Sequence, residues 1–388
     1  MGRLPRNVRV LSAVSFFQDA ASELLYPVLP LFVTGVLGAP PSSLGAIEGV
    51  AEGTASAAKA VSGRLADRRR RRPLVAAGYG ISTLAKPLIG AATGWGLVLV
   101  ARFGDRLGKG LRTSPRDALI AADTPPPMRG RAFGFHRAAD TAGAVVGPLL
   151  GLALYEALDH RLRPLFFIAA GPALISTALV WLVKERPGRE TAEVVATRER
   201  ARVVLPKAYW RLVAVLSVFA LANFSDTFLI LRAKDLGLGF VAIVGAYALY
   251  NAVYAVLSYP AGRLSDRVPR RAVFTGGLAA FAGAYVGLGL AGSGSWVWLL
   301  LPLYGVYTAL TDGVARAWVA DVAPPRAVGS GLGYYHALTG VGLLVAGVWA
   351  GLAWGHGGRI PLLVSGAAAG VLALALALAG RALDPPRG

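Results

Sequence analysis

Apolar residues in this chain come in blocks of about twenty, each bounded by charge, proline or glycine. A block of that length crosses the ~30 Å hydrocarbon of a bilayer as a helix rising ~1.5 Å per residue. The boundaries predict twelve spans, at residues 11–33, 44–63, 73–92, 95–115, 132–155, 164–183, 209–231, 240–260, 272–291, 296–317, 328–352 and 360–380. All are expected to be helices, because lipid-exposed backbone must satisfy its own hydrogen bonds and no alternating ten-residue pattern suggests a barrel. The first block follows Arg3, Arg6 and Arg9 like the h-region of a signal peptide, but it carries Asp19 and Glu23 and runs on to Val33. It is therefore read as a retained first span.

One long polar stretch, Lys184 to Lys207, has mixed charge and no apolar period, and it reads as a linker. This predicts an N-terminal six-helix half at 1–183, a cytoplasmic linker at 184–208 and a C-terminal six-helix half at 209–388. An internal repeat supports the division. GRLADRRRRR at Gly63 to Arg72 recurs as GRLSDRVPRR at Gly262 to Arg271, identical at seven of ten positions with an offset of 199. Gly130 and Gly134 pair with Gly329 and Gly333 at the same offset.

Composition agrees with lipid as the solvent: of 388 residues, 55% are hydrophobic and only 16% charged, too few charges to cover a soluble protein of this size. The net charge of +19 lies in short runs between apolar blocks and not along a soluble face, so no nucleic-acid partner is expected. Cysteine is absent, and the four histidines lack metal-ligand spacing, so no disulfide or metal site is expected. The basic runs fix the orientation. The N-terminus, Arg68 to Arg72, the linker and Arg267, Arg270 and Arg271 share one side, whereas the loops near Pro40, Gly94 and Gly292 carry no charge. Both termini are expected in the cytoplasm, with the protein integral to a bacterial-type inner membrane.

Twelve helices, a six-plus-six repeat, a central linker and a G-x-x-x-D-R-x-x-R-R loop after the second span of each half resemble the major facilitator superfamily over essentially the whole chain. The resemblance implies an all-α membrane protein of two pseudo-symmetric six-helix bundles, acting as a monomer on a small-molecule substrate and protons without a cofactor. It assigns the loop residues Gly63, Asp67, Arg68 and Arg72, with Gly262, Asp266, Arg267 and Arg271, to a conformational latch. In that family the aspartate sits near a neighbouring helix end and the arginines tie helix ends together. A small glycine permits close helix approach, and charge pairs at a helix terminus form and break at modest cost. The bland reading leaves the arginines to enforce topology alone.

The fourth span resembles a family motif in which an arginine precedes closely spaced glycines: Arg102, Gly108 and Gly110 match, whereas Asp105, Arg106 and Lys109 depart from it. Positions 102, 105, 106, 109, 112, 113 and 116 follow a three-four rhythm and so form one polar stripe. The fifth span holds Gly143, Gly147, Pro148 and Gly151, matching the family's G-x-x-x-G-P-x-x-G signature, which is associated with antiporters. Without the resemblance these residues read as a close-packing and kink motif.

Ionisable side chains inside a span are costly and point to function by default. The spans hold Asp19, Glu23, Glu48, Glu52, Asp105, Asp140, Asp226 and Asp312 against Lys59, Lys86, Arg102, Arg106, Lys109, Arg137 and Arg316, a near balance that predicts pairing across helices. Asp19 and Glu23 lie four apart in a span interrupted by Pro27 and Pro30, Glu48 and Glu52 lie four apart in the next, and Asp226 in ANFSD echoes Asp19 in SFFQD. From these the expected substrate and proton-coupling residues are Asp19, Glu23, Glu48, Glu52, Arg102, Asp105, Arg106, Lys109, Asp226 and Asp312. His136 and His336, at the starts of repeat-related spans, read as structural.

The expected function is secondary transport by alternating access, with proton-coupled efflux of a small organic solute in first place. No G-x-x-x-x-G-K loop occurs, so ATP-driven pumping by this chain is not expected. The rival is proton-coupled uptake or exchange of an anionic metabolite or siderophore-like compound, favoured by the basic stripe. A third class is a membrane sensor or lipid-handling protein. An enzyme is not expected, because the extramembrane segments are short and hold no catalytic constellation.

Overall fold

The computed structural model describes residues 4–26, 28–39, 42–185, 204–354 and 357–378. Every predicted span contains helix within these residues, and the first and seventh are interrupted. The first is broken into α1 (Arg6–Leu25), the short α2 (Val28–Leu31) and a π turn over Phe32–Val36. There follow α3 (Ser42–Arg68), α4 (Arg71–Gly90), α5 (Trp95–Asp123), α6 (Arg129–Ala157) and α7 (Arg163–Val180). The seventh span is again broken, into α8 (Lys207–Ala220) and α9 (Thr227–Asp235). The rest are α10 (Phe240–Ser265), α11 (Arg270–Leu290), α12 (Val297–Val322), α13 (Val328–Leu352) and α14 (Arg359–Leu378). The expected linker lies largely outside the described residues.

By length and apolarity alone, six described segments qualify to cross a membrane: Pro126–Ala157, Arg163–Val180, Arg270–Leu290, Gly294–Val322, Pro325–Leu352 and Arg359–Leu378. The breaks in the first and seventh spans and the charges on α4 and α5 keep those segments out of this set. Breaks of this kind are tolerated at membrane depth where protein or a cavity, and not lipid, meets the freed backbone.

Two compact units emerge. The first comprises Met1–Thr124, Ala139–Val204 and Pro325–Ala337; the second comprises Pro125–Ala138, Leu205–Pro324 and Leu338–Gly388. Each unit thus takes in one helix start from the other part of the sequence, the first turns of α13 in one and of α6 in the other. Both starts are introduced by a 3-10 turn, Pro126–Met128 before α6 and Pro325–Ala327 before α13. Proline suits such starts because its missing N–H is not needed there.

In the first unit α5 packs on α3 and α4, and α7 on α1 and α4. The α4–α5 seam is glycine on glycine: a Cβ on Gly78 would stand 2.6 Å from the Gly108 carbonyl oxygen. In the second unit α12 packs on α10 and α11, and α14 on α11. Phe219, Phe281, Tyr285, Tyr304 and Tyr307 fill that unit's core with edge-on and stacked rings.

Candidate functional site

In the first unit the intramembrane charges meet between α1, α4, α5 and α6. The Asp19 side chain on α1 faces the Asp140 side chain on α6, with Lys109 of α5 and Glu23 as further charged neighbours. Glu23 in turn lies close to Lys109, Arg106 and Arg102. Asp105 accepts from Arg102 at 3.4 Å and has Lys86, Arg106 and Arg112 around it. Lys86, buried on α4, donates to Ser22 Oγ on α1 at 3.3 Å. The three-four rhythm on α5 explains the gathering: it turns Arg102, Asp105, Arg106, Lys109, Arg112 and Arg116 toward neighbouring helices.

Glycines bring the carboxyl pair together. A Cβ on Gly143 would collide with the Phe16 carbonyl and come within 3.0 Å of Ala20 N; one on Gly147 would stand 2.6 Å from the Ala20 oxygen, and one on Gly151 2.8 Å from that of Leu24. These glycines and Asp140 share a face of α6 at three-four spacing, so backbone contact of α6 with α1 sets the distance between Asp140 and Asp19. Pro148 lies inside the same helix. The side chains of Glu48 and Glu52 lie outside the described residues.

Deeper on α5, Arg116 bridges Asp117 at 3.1 Å and Ser15 at 3.0 Å, and Asp117 meets His336 Nε2 at 3.0 Å. Arg112 donates to Ser82 at 2.5 Å and lies over the Tyr79 ring. These groups form a buried, mutually satisfied network.

In the second unit Asp312 is neutralised by Arg137 at 2.6 Å and Arg316 at 3.0 Å and accepts from Tyr254 at 2.6 Å. Asp226 is treated otherwise. It ends the unwound stretch between α8 and α9 and accepts from the hydroxyls of Tyr250 at 3.0 Å and Tyr304 at 2.7 Å. Asp19 by contrast sits within an unbroken helix, so the two aspartates occupy different backbone settings.

The repeated loops show matching geometry. Asp67, at the end of α3, accepts from the backbone N–H of Gly329 at 2.8 Å and Ser330 at 2.6 Å, at the start of α13. Asp266, following α10, accepts from Gly130 at 2.7 Å and Arg131 at 2.9 Å, at the start of α6. A carboxylate on unsatisfied N–H groups at a helix start is favoured by hydrogen bonding and the helix dipole together. Burial nevertheless lifts both carboxyls above the usual range, against the pull of those N–H groups and of Arg71 or Arg270. Gly63 and Gly262 make the contact close enough: a Cβ on Gly63 would stand 2.7 Å from Gly333 Cα, and one on Gly262 3.1 Å from Gly134 Cα.

The arginines that engage these aspartates are Arg71, at 3.9 Å from Asp67, and Arg270, at 3.6 Å from Asp266. Arg270 also holds Asp321 at 2.6 Å, which Arg129 meets at 2.9 Å. Arg68 and Arg267 are exposed, Arg72 lies over the Trp181 ring, and Arg271 donates to the Leu376 carbonyl. Glu185 accepts from the N–H groups of Arg71 and Arg72 and so caps α4. Sequence reasoning did not single out Asp140 as a partner of Asp19, nor Tyr250 and Tyr304 as partners of Asp226. The tyrosines carry no charge and show only as spaced series, Tyr250 with Tyr247 and Tyr254 on α10 and Tyr304 with Tyr307 on α12.

The sequence pattern of the Major Facilitator Superfamily matches residues 11–253 and 233–388. An MFS-type transporter of Methanocaldococcus jannaschii is 32% identical over 358 residues, covering 90% of this chain and 89% of that protein. The multidrug resistance protein MdtG of Serratia proteamaculans is 30% identical over 278 residues, 68% of this chain and 66% of that protein. Among solved structures, the human organic anion transporter MFSD10 superposes with a TM-score of 0.80 at 16% identity, covering 96% of this chain and 100% of that one. The fucose:proton symporter FucP of E. coli does so with a TM-score of 0.73 at 14% identity, over 95% and 97%.

Proposed function

The chain belongs to the major facilitator superfamily, whose members are transporters and not enzymes, and from that premise we propose that it is a proton-coupled antiporter exporting a small organic solute by alternating access. In this reading it works as a monomer in a bacterial-type cytoplasmic membrane, with both termini on the cytoplasmic side. The six-plus-six division of the chain, with its linker at 184–208, is part of the same proposal.

The observation that carries the reading is the Asp19–Asp140 contact. Two carboxyl groups brought together can share a hydrogen bond only when one of them donates, so in this reading the pair is the carrier of the exchanged proton. Lys109 beside it supplies a positive charge ready to compensate the carboxylate left when the proton departs. A proton taken up from outside and released to the cytoplasm would then alternate with solute moving outward. Glu23, Arg106 and Arg102 are the groups that would relay changes in this pair to a bound solute. Export is favoured by the similarity to a multidrug resistance protein and by the glycine set Gly143, Gly147 and Gly151 that seats Asp140 against α1.

A second reading, exchange of an organic anion, rests on Lys86, Arg102, Arg106 and Arg112 gathered around the single carboxylate of Asp105. Salt-sensitive anion binding that disappears in Arg106→Gln would favour it.

The test uses proteoliposomes enclosing a pH-sensitive dye, challenged with a panel of drug cations, sugars and organic acids. A transported compound should release protons in the wild type. Asp19→Asn and Asp140→Asn should abolish that release while preserving solute-for-solute exchange. Coupled release in both variants would remove the carboxyl pair from the mechanism.

A further inference from the structure

The loop between α6 and α7 is unlike others expected on its side of the spans. Those near Pro40, Gly94 and Gly292 carry no charge, yet this one holds Arg161 and Arg163 within three residues. Arginine is disfavoured on the side away from the basic runs, so two in one short loop call for a local reason.

Beside this loop lies a groove of about 690 Å³, within the range of small-ligand sites. Val36, Leu162, Phe167 and Ile168 give it an apolar wall, while His160, Arg161 and Arg163 also line it and no carboxylate does. The acids of the loop are engaged outside it: Glu156 lies 3.3 Å from His160, and Asp159 lies 3.9 Å from Arg161. Arg161 and Asp159 are both largely exposed, so their ion pair is weak and easily exchanged. Arg163 is held more firmly. Its guanidinium donates to the Gly90 carbonyl at 2.9 Å and lies 5.3 Å over the Phe32 ring, and among the described residues no carboxylate pairs with it.

An apolar track leads away from these charges. Phe167, Ile168, Gly171, Leu174 and Ile175 follow the three-four rhythm of one helical face, and all are exposed. α7 is among the segments long and apolar enough to cross a membrane, so this face meets hydrocarbon. The groove thus joins two preorganised cations at the end of a span to a path for an acyl chain. A guanidinium fork matches the oxygens of a phosphate, and basic pockets at membrane depth suit lipid head groups. Inorganic phosphate would leave the apolar wall uncovered, and an ethanolamine head group would bring its ammonium beside the arginines.

We propose that this groove binds an anionic phospholipid, such as phosphatidylglycerol, with its phosphodiester on Arg163 and Arg161 and one acyl chain along α7. The inference goes beyond the transport reading and does not rest on it.

The experiment places a fluorophore on Gly171→Cys in the full chain, which has no other cysteine. Nothing stands within 4 Å of the Cβ position there, one turn beyond Phe167. The protein is reconstituted in phosphatidylcholine bilayers containing a small fraction of phosphatidylglycerol or phosphatidylcholine brominated on the acyl chain, and quenching is compared. Brominated phosphatidylglycerol should quench roughly 5-fold more effectively per molecule. Arg163→Gln should bring the two lipids to parity, and Arg161→Gln should reduce the preference by about 2-fold, since that arginine is shared with Asp159. Ile168→Trp fills the groove without changing charge and should also reduce the preference by about 2-fold, so the proposal remains testable if Arg163→Gln does not fold. A label on Val371→Cys, 70% exposed on α14, should be quenched equally by both lipids. Equal quenching at Gly171→Cys in the otherwise native chain would overturn the proposal. So would an undiminished preference in folded Arg161→Gln and Ile168→Trp, or relief of quenching by inorganic phosphate beyond that of chloride at equal ionic strength.

Discussion

Asp67 and Ser330, 263 positions apart in the chain, are joined by a 2.6 Å hydrogen bond from the Ser330 backbone N–H to the Asp67 carboxylate. Asp266 and Arg131 are joined in the same manner at 2.9 Å, 135 positions apart. The four residues obey the 199-residue offset of the sequence repeat, since 67 and 266 differ by 199, as do 131 and 330. Each half of the repeat therefore supplies both the carboxylate for one helix start and the helix start for the other carboxylate. A pair of equivalent, breakable contacts of this kind is suited to holding one of two conformations.

Asp67→Asn and Asp266→Asn should each weaken this hold. Asparagine keeps one acceptor oxygen but turns an NH2 toward the second N–H, and hydrogen bonds to a charged group contribute about 1.5–3 kcal/mol. The expected result is a roughly 10-fold loss of transport with little change in unfolding temperature, and faster amide exchange at Gly329 and Ser330 or at Gly130 and Arg131 respectively. Wild-type transport in both variants would reduce the loop to a topological role.

Gly63→Ala tests the same contact by shape. The added Cβ meets the Gly329 carbonyl and would stand 2.7 Å from Gly333 Cα, and backbone cannot swing aside as a side chain can. Overpacking of this kind costs about 1–3 kcal/mol, so transport should fall by about 10-fold or more. Gly276→Ala is the control, because nothing stands within 4 Å of its Cβ position. Equal activity of the two variants would show that the helix ends need not approach so closely.

The backbone plan was largely legible, because a block of twenty apolar residues admits few structures in lipid. The helical breaks were half legible: proline announces the first, near residue 27, but the second arises at Asn223, Ser225 and Asp226, where Asp226 stood out by its charge and no proline marked a break. Pairings between helices were not legible, since periodicity gives the face a residue occupies and not the helix it meets. Thus Arg102 to Lys109 emerged as a stripe, whereas the contact of Asp19 with Asp140 did not. Runs of like residues hide which member acts, as with Arg71 among Arg68 to Arg72.

Orientation is open to a direct check, because the chain contains no cysteine. Ser293, in the exposed turn before α12, and Arg69, in the exposed turn between α3 and α4, lie at opposite ends of the predicted spans. Ser293→Cys should react in whole cells with a membrane-impermeant maleimide, and Arg69→Cys should react only after the cells are opened. The reverse pattern would invert the topology and with it the direction of proton-driven flux.

The glycine ladder on α6 offers a way to disturb the proton pair without touching a carboxyl. Gly147 lies seven residues, or about two turns, beyond Asp140 on the same helical face. A Cβ at Gly147 would stand 2.6 Å from the Ala20 oxygen, with Ala20 adjacent to Asp19 in the chain. Gly147→Ala should therefore lever α6 away from α1 and draw Asp140 away from Asp19. Hydrogen bonds weaken steeply beyond about 3.2 Å, so a displacement of about 1 Å is enough to end proton sharing. The pair would then hold its proton poorly, and solute would leak without proton exchange. The measurement is the ratio of protons released to solute moved in proteoliposomes, which should fall in Gly147→Ala while solute-for-solute exchange persists. Gly276→Ala should leave the ratio alone. An unchanged ratio in Gly147→Ala, in protein that unfolds at the wild-type temperature, would mean that the glycines serve packing alone and that proton coupling does not depend on the approach of α6 to α1.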